Sequence, residues 1–190
     1  ERKGVDLAIR AFQQAEHSSQ SLLLLAGLHS ESVRSQVRQA ADSRIISIDR
    51  YLSQSEFESA LNAVDLVATP YRNFNGSASI VIHAASVARP TLGSDMGWMG
   101  HVIPQFGLGS VCDVHDAPKF AAALSAALDS AASFELSDAA TQFLRFTGRD
   151  NIRAHWTALL RERLELPPHP ALLNWPDDLR LKSGLGSAGS

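Results

Sequence analysis

Two stretches hold residue types suited to an anion. Lys3-Gly4 sets an ammonium group beside a glycine, just ahead of an amphipathic segment. Tyr71-Arg72-Asn73-Phe74-Asn75-Gly76-Ser77-Ala78-Ser79 joins a predicted strand to a predicted helix, and its Gly, Ser, Ala and Ser let a ligand approach the backbone. The amino end of a helix presents N–H groups without intrahelical acceptors and the positive end of the helix dipole, so a diphosphate would suit this turn. The same residues also spell an ordinary capped helix start behind a loop, and a lone surface lysine is usually a solvated charge. Asp95-Met96-Gly97-Trp98-Met99-Gly100 is another strand-end loop, where Trp98 and Met99 are expected to pack a short helix onto the core.

Other chemistries find no support. The seven histidines, at 17, 29, 83, 101, 115, 155 and 169, show no metal-ligand spacing. No Gly-x-Ser-x-Gly elbow or Gly-x-x-x-x-Gly-Lys-Ser/Thr phosphate loop occurs. The one cysteine, Cys112, falls in an apolar predicted strand, excludes an internal disulfide and fits a reducing compartment: the cytoplasm, including the inner face of its membrane. Seventeen Lys plus Arg against twenty Asp plus Glu gives a net charge of −3, which offers nucleic acid no broad basic surface. No apolar run approaches the roughly 18 residues of a membrane span.

The elements that must position these loops alternate along 190 residues, of which 45% are hydrophobic and 19% charged. Val5, Ala8, Ile9 and Phe12 mark a helix over about 4–15, and Ser21 to Ala26 a strand whose unbroken apolar run predicts cover on both faces. A helix carrying Val33, Val37 and Ala40 precedes a strand at Ile45 to Ile48. Ser53-Gln54-Ser55-Glu56 has the form of a capping box and opens a helix with Phe57, Leu61 and Val64. Asp65 to Pro70 is a third strand, 77–88 a helix, Pro90 to Ser94 a fourth strand and Leu108 to Cys112 a fifth. Helices introduced by Asp116, Ser137 and Asp150 follow; the last carries Ile152, Trp156, Leu159 and Leu160. This order predicts an α/β fold: a Rossmann-like doubly wound parallel sheet with right-handed crossovers, followed by C-terminal helices. Residues 1–166 form that domain, and 167–190 a tail rich in Pro, Gly and Ser. Helical periodicity from the first residues reads as a chain opening inside a larger architecture.

In order and spacing, these segments resemble the C-terminal, donor-binding domain of family 4 (group 1) retaining glycosyltransferases of the two-Rossmann GT-B type. Arg2 to Phe12 looks like the family's Lys-Gly opening and first helix, Leu23 to Gly27 its "Leu-Leu-x-Ala-Gly" strand, and Ala63 to Pro70 its "Ala-Asp-hydrophobic-Pro" strand. Residues 82–90 followed by Ser94-Asp95-Met96-Gly97 look like its "Glu-Ala-Met-Ala-x-Gly-x-Pro … Ser-Asp-x-Gly" stretch. The resemblance spans roughly residues 1–130.

The resemblance implies transfer of a sugar from a nucleotide-diphosphate donor, UDP- or GDP-linked, with no further cofactor and no metal. Lys3 matches the lysine that contacts the donor diphosphate, and Gly76, Ser77, Ala78 and Ser79 match the turn and helix start that receive the phosphates. Arg2 lies too close to Lys3 to match the family's upstream arginine. Tyr51 and Leu52 fall in the loop whose backbone contacts the base. The family's two glutamates, seven residues apart, are replaced here by Asn75 and His83. Asn75 is the candidate at the transferred sugar but cannot be a charged base. A neutral His83 offers one acceptor where a carboxylate takes both ribose hydroxyls, or it has no ligand role. A first strand and an N-terminal, acceptor-binding domain are then expected upstream of Glu1, and the chain alone is expected to be inactive. The alternative is a Rossmann-like binding or interaction domain whose catalytic site has decayed. A receiver module, which would need Asp at the end of the third strand, meets Ala68-Thr69-Pro70 instead.

Overall fold

In the computed structural model, residues 2–15 and 21–168 are described. They fall into two compact units, Glu1–Ala140 and Thr141–Ser190. The first runs α1 (Val5–Gln14), β1 (Leu23–Ala26), α2 (Glu31–Ala40), β2 (Ile45–Ile48), α3 (Gln54–Ala63), β3 (Val67–Thr69), α4 (Ser79–Ser86), β4 (Thr91–Ser94), α5 (Gly97–Gln105), β5 (Gly109–Cys112) and α6 (Ala117–Ala131). Helix α7 (Asp138–Thr147) crosses the boundary, and α8 (Arg149–Arg163) lies in the second unit. The alternation predicted from sequence is therefore present.

Every strand pair is parallel, as helical crossovers require. Leu23 stands opposite Ile45, Val67 opposite Thr91, and Thr91 opposite Gly109. Hydrogen bonding divides the strands into a pair, β1-β2, and a triplet, β3-β4-β5. One apolar cluster nonetheless serves both: Leu7, Ala11 and Phe12 of α1 and Phe120, Ala121 and Leu124 of α6 enclose Leu92, with Leu23, Ile45, Leu66 and Cys112 packed against them. The triplet thus shares a covering layer with the pair.

Side chains alternate across a strand, so the residues after Leu66 and Leu92 face the other way. Val67 packs with Leu61 of α3 and Ala84 of α4, and a side chain at Gly93 would meet Ile103 and Met99 of α5. Helices α1 and α6 therefore cover one face of the triplet, and α3, α4 and α5 the other: a doubly wound arrangement. Phe120 is fully buried, and truncating a core phenylalanine of this kind costs about 3–5 kcal/mol.

Three expectations are corrected. The run at β1 is only half-buried, with Leu22 at 62% and Ile46 of β2 at 43% exposure, so the described residues do not supply the cover on both faces that an unbroken apolar run predicts. Helix α4 begins at Ser79, not Ser77, because Ala78 is still extended (φ −107°, ψ 102°). The last helix starts at Arg149 behind Gly148, ahead of Asp150. Within the second unit, Asn151 Nδ2 donates to the Phe146 carbonyl at 2.9 Å, while Ile152, Trp156, Leu159 and Leu160, the apolar residues named for this helix, are 46–62% exposed. The tail expected over 167–190 lies, beyond Pro168, outside the described residues.

Candidate functional site

The carboxyl ends of β3 and β4 meet the start of α1. Gly4 is left-handed (φ 66°) and so close to the end of β3 that a Cβ would fall on the Pro70 carbonyl oxygen; only glycine fits such a position without strain. The Arg72 amide donates to the Arg2 carbonyl at 2.8 Å. From the other side Gly97, also left-handed (φ 59°), abuts Asn75, with room for a side chain removed by the Asn75 backbone and the Phe74 carbonyl. Lys3, the 71–76 loop and the start of α5 are thereby brought together.

The ring faces and charges in this corner are ordered. Lys3 Nζ lies 5.7 Å from the centre of the Tyr71 ring, and the Arg2 guanidinium 5.4 Å from that of Phe74. The two rings meet edge to face at 5.5 Å, and attraction of a cation to a ring face is worth about 0.5–1 kcal/mol at exposed sites. Arg72 Nη1 donates to both carboxylate oxygens of Asp6, at 3.0 and 2.8 Å, tying the loop to the first turn of α1. Burial alone would raise the Asp6 carboxyl; the Arg72 hydrogen bonds and charge, with Arg10 behind them, outweigh it and leave it below the ordinary carboxylate range.

The helix starts at this corner differ from those of the other helices that lie wholly in the first unit. Helices α2, α3 and α6 are capped by the side chains of Ser30, Ser53 and Asp116, and at α3 the full capping box with Glu56 forms as predicted. Helices α1, α4 and α5, preceded by Gly4, Ala78 and Met96, have no side-chain cap. In α1 and α4 the first amides, apart from that of Val81 on the Ala78 carbonyl at 3.0 Å, are left for solvent or a ligand. The capped-start alternative for the 71–79 segment does not apply, because Ser77 and Ser79 flank the cap position without filling it.

Of the remaining candidates, Gly76, Ser77 and Ser79 are exposed beside the loop and Ala78 is buried. His83 sits one turn beyond Ser79, exposed, with its ring edge to face with Phe57 of α3 at 5.3 Å. Tyr51 is 79% exposed and Leu52 half-buried, in a loop where the Arg50 guanidinium, then the Ser53 amide and hydroxyl, hold Glu56 down at about 2. No hydrogen bond or ring contact among the described residues joins Tyr51, Leu52 or His83 to Lys3. Sequence reasoning named Arg72 and Gly97 within their loops without giving either a role, and passed over Asp6. Only Gly97 left a signal, the Asp-x-Gly after a strand.

The profile of the glycosyl transferases of group 1 matches residues 1–130. This chain belongs to that family. Among solved structures, the glycosyltransferase chain superposes on sucrose-phosphate synthase from Thermosynechococcus elongatus with a TM-score of 0.71 at 18% identity, over 86% of this chain and 43% of that one. It superposes on a glycosyltransferase involved in avilamycin A biosynthesis with a TM-score of 0.62 at 20% identity, over 86% and 48%. A protein from Listeria monocytogenes, proposed to be a UDP-N-acetylglucosamine 2-epimerase, gives 0.59 at 16% identity, over 90% and 43%. The chain thus spans under half the length of each, and at these identities the likeness is one of fold. No curated protein matches it.

Two further features of the glycosyltransferase chain bear on chemistry. Among the described residues of the first unit, Arg10, Arg34, Arg38, Arg44, Arg50, Arg72 and Lys119 pair with carboxylates, and Arg89 donates to the Asn62 carbonyl. Arg2 and Lys3 rest instead on rings. Cys112 is half-buried, and burial, then Asp95 and Asp113, push its thiol up to about 11, so it is no nucleophile. No cluster of metal-ligating side chains occurs among the described residues, and no helix there is long and apolar enough to cross a membrane. A cavity of about 430 Å³ lined by Leu66, Pro90, Thr91, Gly109, Phe134 and Glu135 opens at the opposite, amino ends of the strands.

Proposed function

We propose that the chain is the donor-binding half of a retaining glycosyltransferase and that its corner of uncapped helix starts holds the diphosphate of a UDP- or GDP-sugar. The observation carrying this reading is the convergence of Lys3 and the free amino ends of α1 and α4 on one loop, with the start of α5 against that loop. An ammonium is a compact charge suited to a phosphate oxygen, and the amides about Gly76 to Ser79 add preorganised donors.

In transfer, the bond between the anomeric carbon and the diphosphate oxygen breaks and its electron pair leaves with the diphosphate. Charge grows on those oxygens, where Lys3 and the amides stand, and a donor aimed at developing charge contributes about 10²–10³-fold to rate. Asn75, exposed against Gly97, can accept or donate a hydrogen bond to the sugar but takes up no proton. The acceptor, and whatever faces the other side of the sugar, belong to an N-terminal partner domain of the complete protein.

Calorimetric titration with UDP and with GDP tests this reading. One of the two binds the complete protein, and Lys3→Ala weakens it about tenfold or more, the usual scale for a charge-assisted contact. If neither nucleotide binds a folded complete protein, the proposal fails. Asn75 and His83 in place of the family's two glutamates, with His83 engaged by Phe57, favour one second reading, a binding domain without turnover; clear sugar transfer by the complete protein excludes it.

A further inference from the structure

Helix α1 starts at the carboxyl end of β3 and returns the chain to the amino end of β1, so the carboxyl ends of β1 and β2 share the edge on which the diphosphate corner lies. A separate group of side chains is built there. Asp49, directly after β2, accepts the His29 amide on Oδ1 at 2.7 Å and the Arg34 guanidinium on Oδ2 at 2.6 Å, which fixes the loop after β1 against the end of β2. The His29 ring is half-buried, with Nδ1 3.3 Å from Ser47 Oγ of β2. No hydrogen bond among the described residues uses its Nε2. Nearby Leu28 is 57% and Tyr51 79% exposed, and the cations are paired, Arg34 with Asp49 and Glu31, Arg50 with Glu56. This end of the edge therefore offers apolar and aromatic surface, one unpartnered ring nitrogen and no unpaired cation. The far end, beyond β4 and β5, is acidic: Asp95 and Asp113 both act on the Cys112 thiol, and Asp116 follows. An aromatic base attached to phosphate suits the first end and is repelled by the second.

We propose that His29 selects the base of the donor nucleotide, its Nε2–H donating to a keto oxygen on the base, with Ser47 as the positioning residue that holds the proton on Nε2. The inference rests on the reading of the Lys3 corner as a diphosphate site. A neutral imidazole has one donor and one acceptor nitrogen, and the partner of one decides the other. The Ser47 hydroxyl has no other hydrogen bond among the described residues, so it is free to donate to Nδ1, which leaves Nε2 as the donor. Uracil and guanine present a keto oxygen, O4 or O6, where cytosine and adenine present an amino group. A donor aimed at that position is satisfied by the first two bases. Against the other two it faces a second donor, and both groups lose their partner. The substrate class is thus a sugar linked to a keto-base nucleotide.

Calorimetric titration of the complete protein with UDP, CDP, GDP and ADP at about pH 8, above the ordinary imidazole range, tests it. The keto nucleotide that binds does so about tenfold more tightly than its amino counterpart, CDP for UDP or ADP for GDP. His29→Ala brings that pair to within about twofold, whereas Lys3→Ala weakens both members alike and leaves their ratio unchanged. His29→Gln, whose amide can turn either its oxygen or its nitrogen to the base, restores binding without restoring the ratio. Nitrogen-15 shifts of the His29 ring in the complex show Nε2 protonated and Nδ1 bare, and Ser47→Ala mixes the two tautomers. The proposal is overturned if the amino nucleotide binds as tightly as the keto one, if the ratio survives His29→Ala, or if the bound ring carries its proton on Nδ1. In each of those cases UDP or GDP still binds, and the donor reading stands. If none of the four binds a folded complete protein, the donor reading fails and this inference with it.

Discussion

Asp6 and Arg72 stand 66 positions apart in the chain yet share two hydrogen bonds, and both side chains are only about one-fifth exposed. Because the folded-state pKa of Asp6 is depressed, the stability it confers is present above the unfolded value of about 3.9 and is lost as pH falls through the folded one. Asp6→Asn is expected to cost on the order of 1 kcal/mol at neutral pH and to flatten the fall in melting temperature below about pH 4, measured by thermal melts between about pH 2 and pH 6. An equally steep acid limb in the variant would show that other carboxylates carry it. Lys3 and the small residues at 76–79 were legible because their chemistry depends on local order: a cation or glycine beside a helix start. The Asp6–Arg72 latch was not, since neither residue has a neighbour in sequence that announces the other. His83 shows the converse, a position readable from the family pattern whose partner, Phe57, is supplied only by packing between α3 and α4.

Among the elements, α4 ends on a conformational fault. The Arg89 amide donates to the Ala84 carbonyl at 2.9 Å and that of Ala88 to Ala85 at 3.0 Å, a turn-back that places Ala88 in the left-handed region at φ 54°. The family pattern has glycine there, and a Cβ in that region costs roughly 1–2 kcal/mol. Ala88→Gly is therefore expected to stabilise the protein by about 1 kcal/mol and raise its melting temperature by a few degrees, read in a thermal melt; a lower melting temperature would mean that the methyl packs to advantage. Helix starts were the more legible ends. Ser53 with Glu56, and Asp116, carry their capping partners within a turn, and both caps form. Strand cover was less legible. Leu22 to Leu25 state that β1 is suited to burial, but an apolar run holds no record of what stands beside it, and here one edge is open.

For the molecule as a whole, the alternation of strands and helices made an α/β sheet legible from spacing alone, whereas its division into pair and triplet depends on contacts that no local pattern encodes. The same holds for α8, whose apolar residues Ile152, Trp156, Leu159 and Leu160 mark a helix by their spacing yet are exposed. If the catalytic cleft needs two domains, the 190-residue chain transfers no sugar from any UDP- or GDP-sugar supplied with an acceptor, while the complete protein does. Release of UDP or GDP measures this, and turnover by the chain alone would refute it. The distribution of charge has a further consequence. An arginine already bound to a carboxylate must shed that partner, or share it, before it can serve a phosphate. Arg2 and Lys3, resting on the faces of Phe74 and Tyr71, are held in place by groups that leave their charge uncancelled. An arriving anion has no rival of its own sign to displace there, so the reorganisation its capture requires is chiefly the release of water.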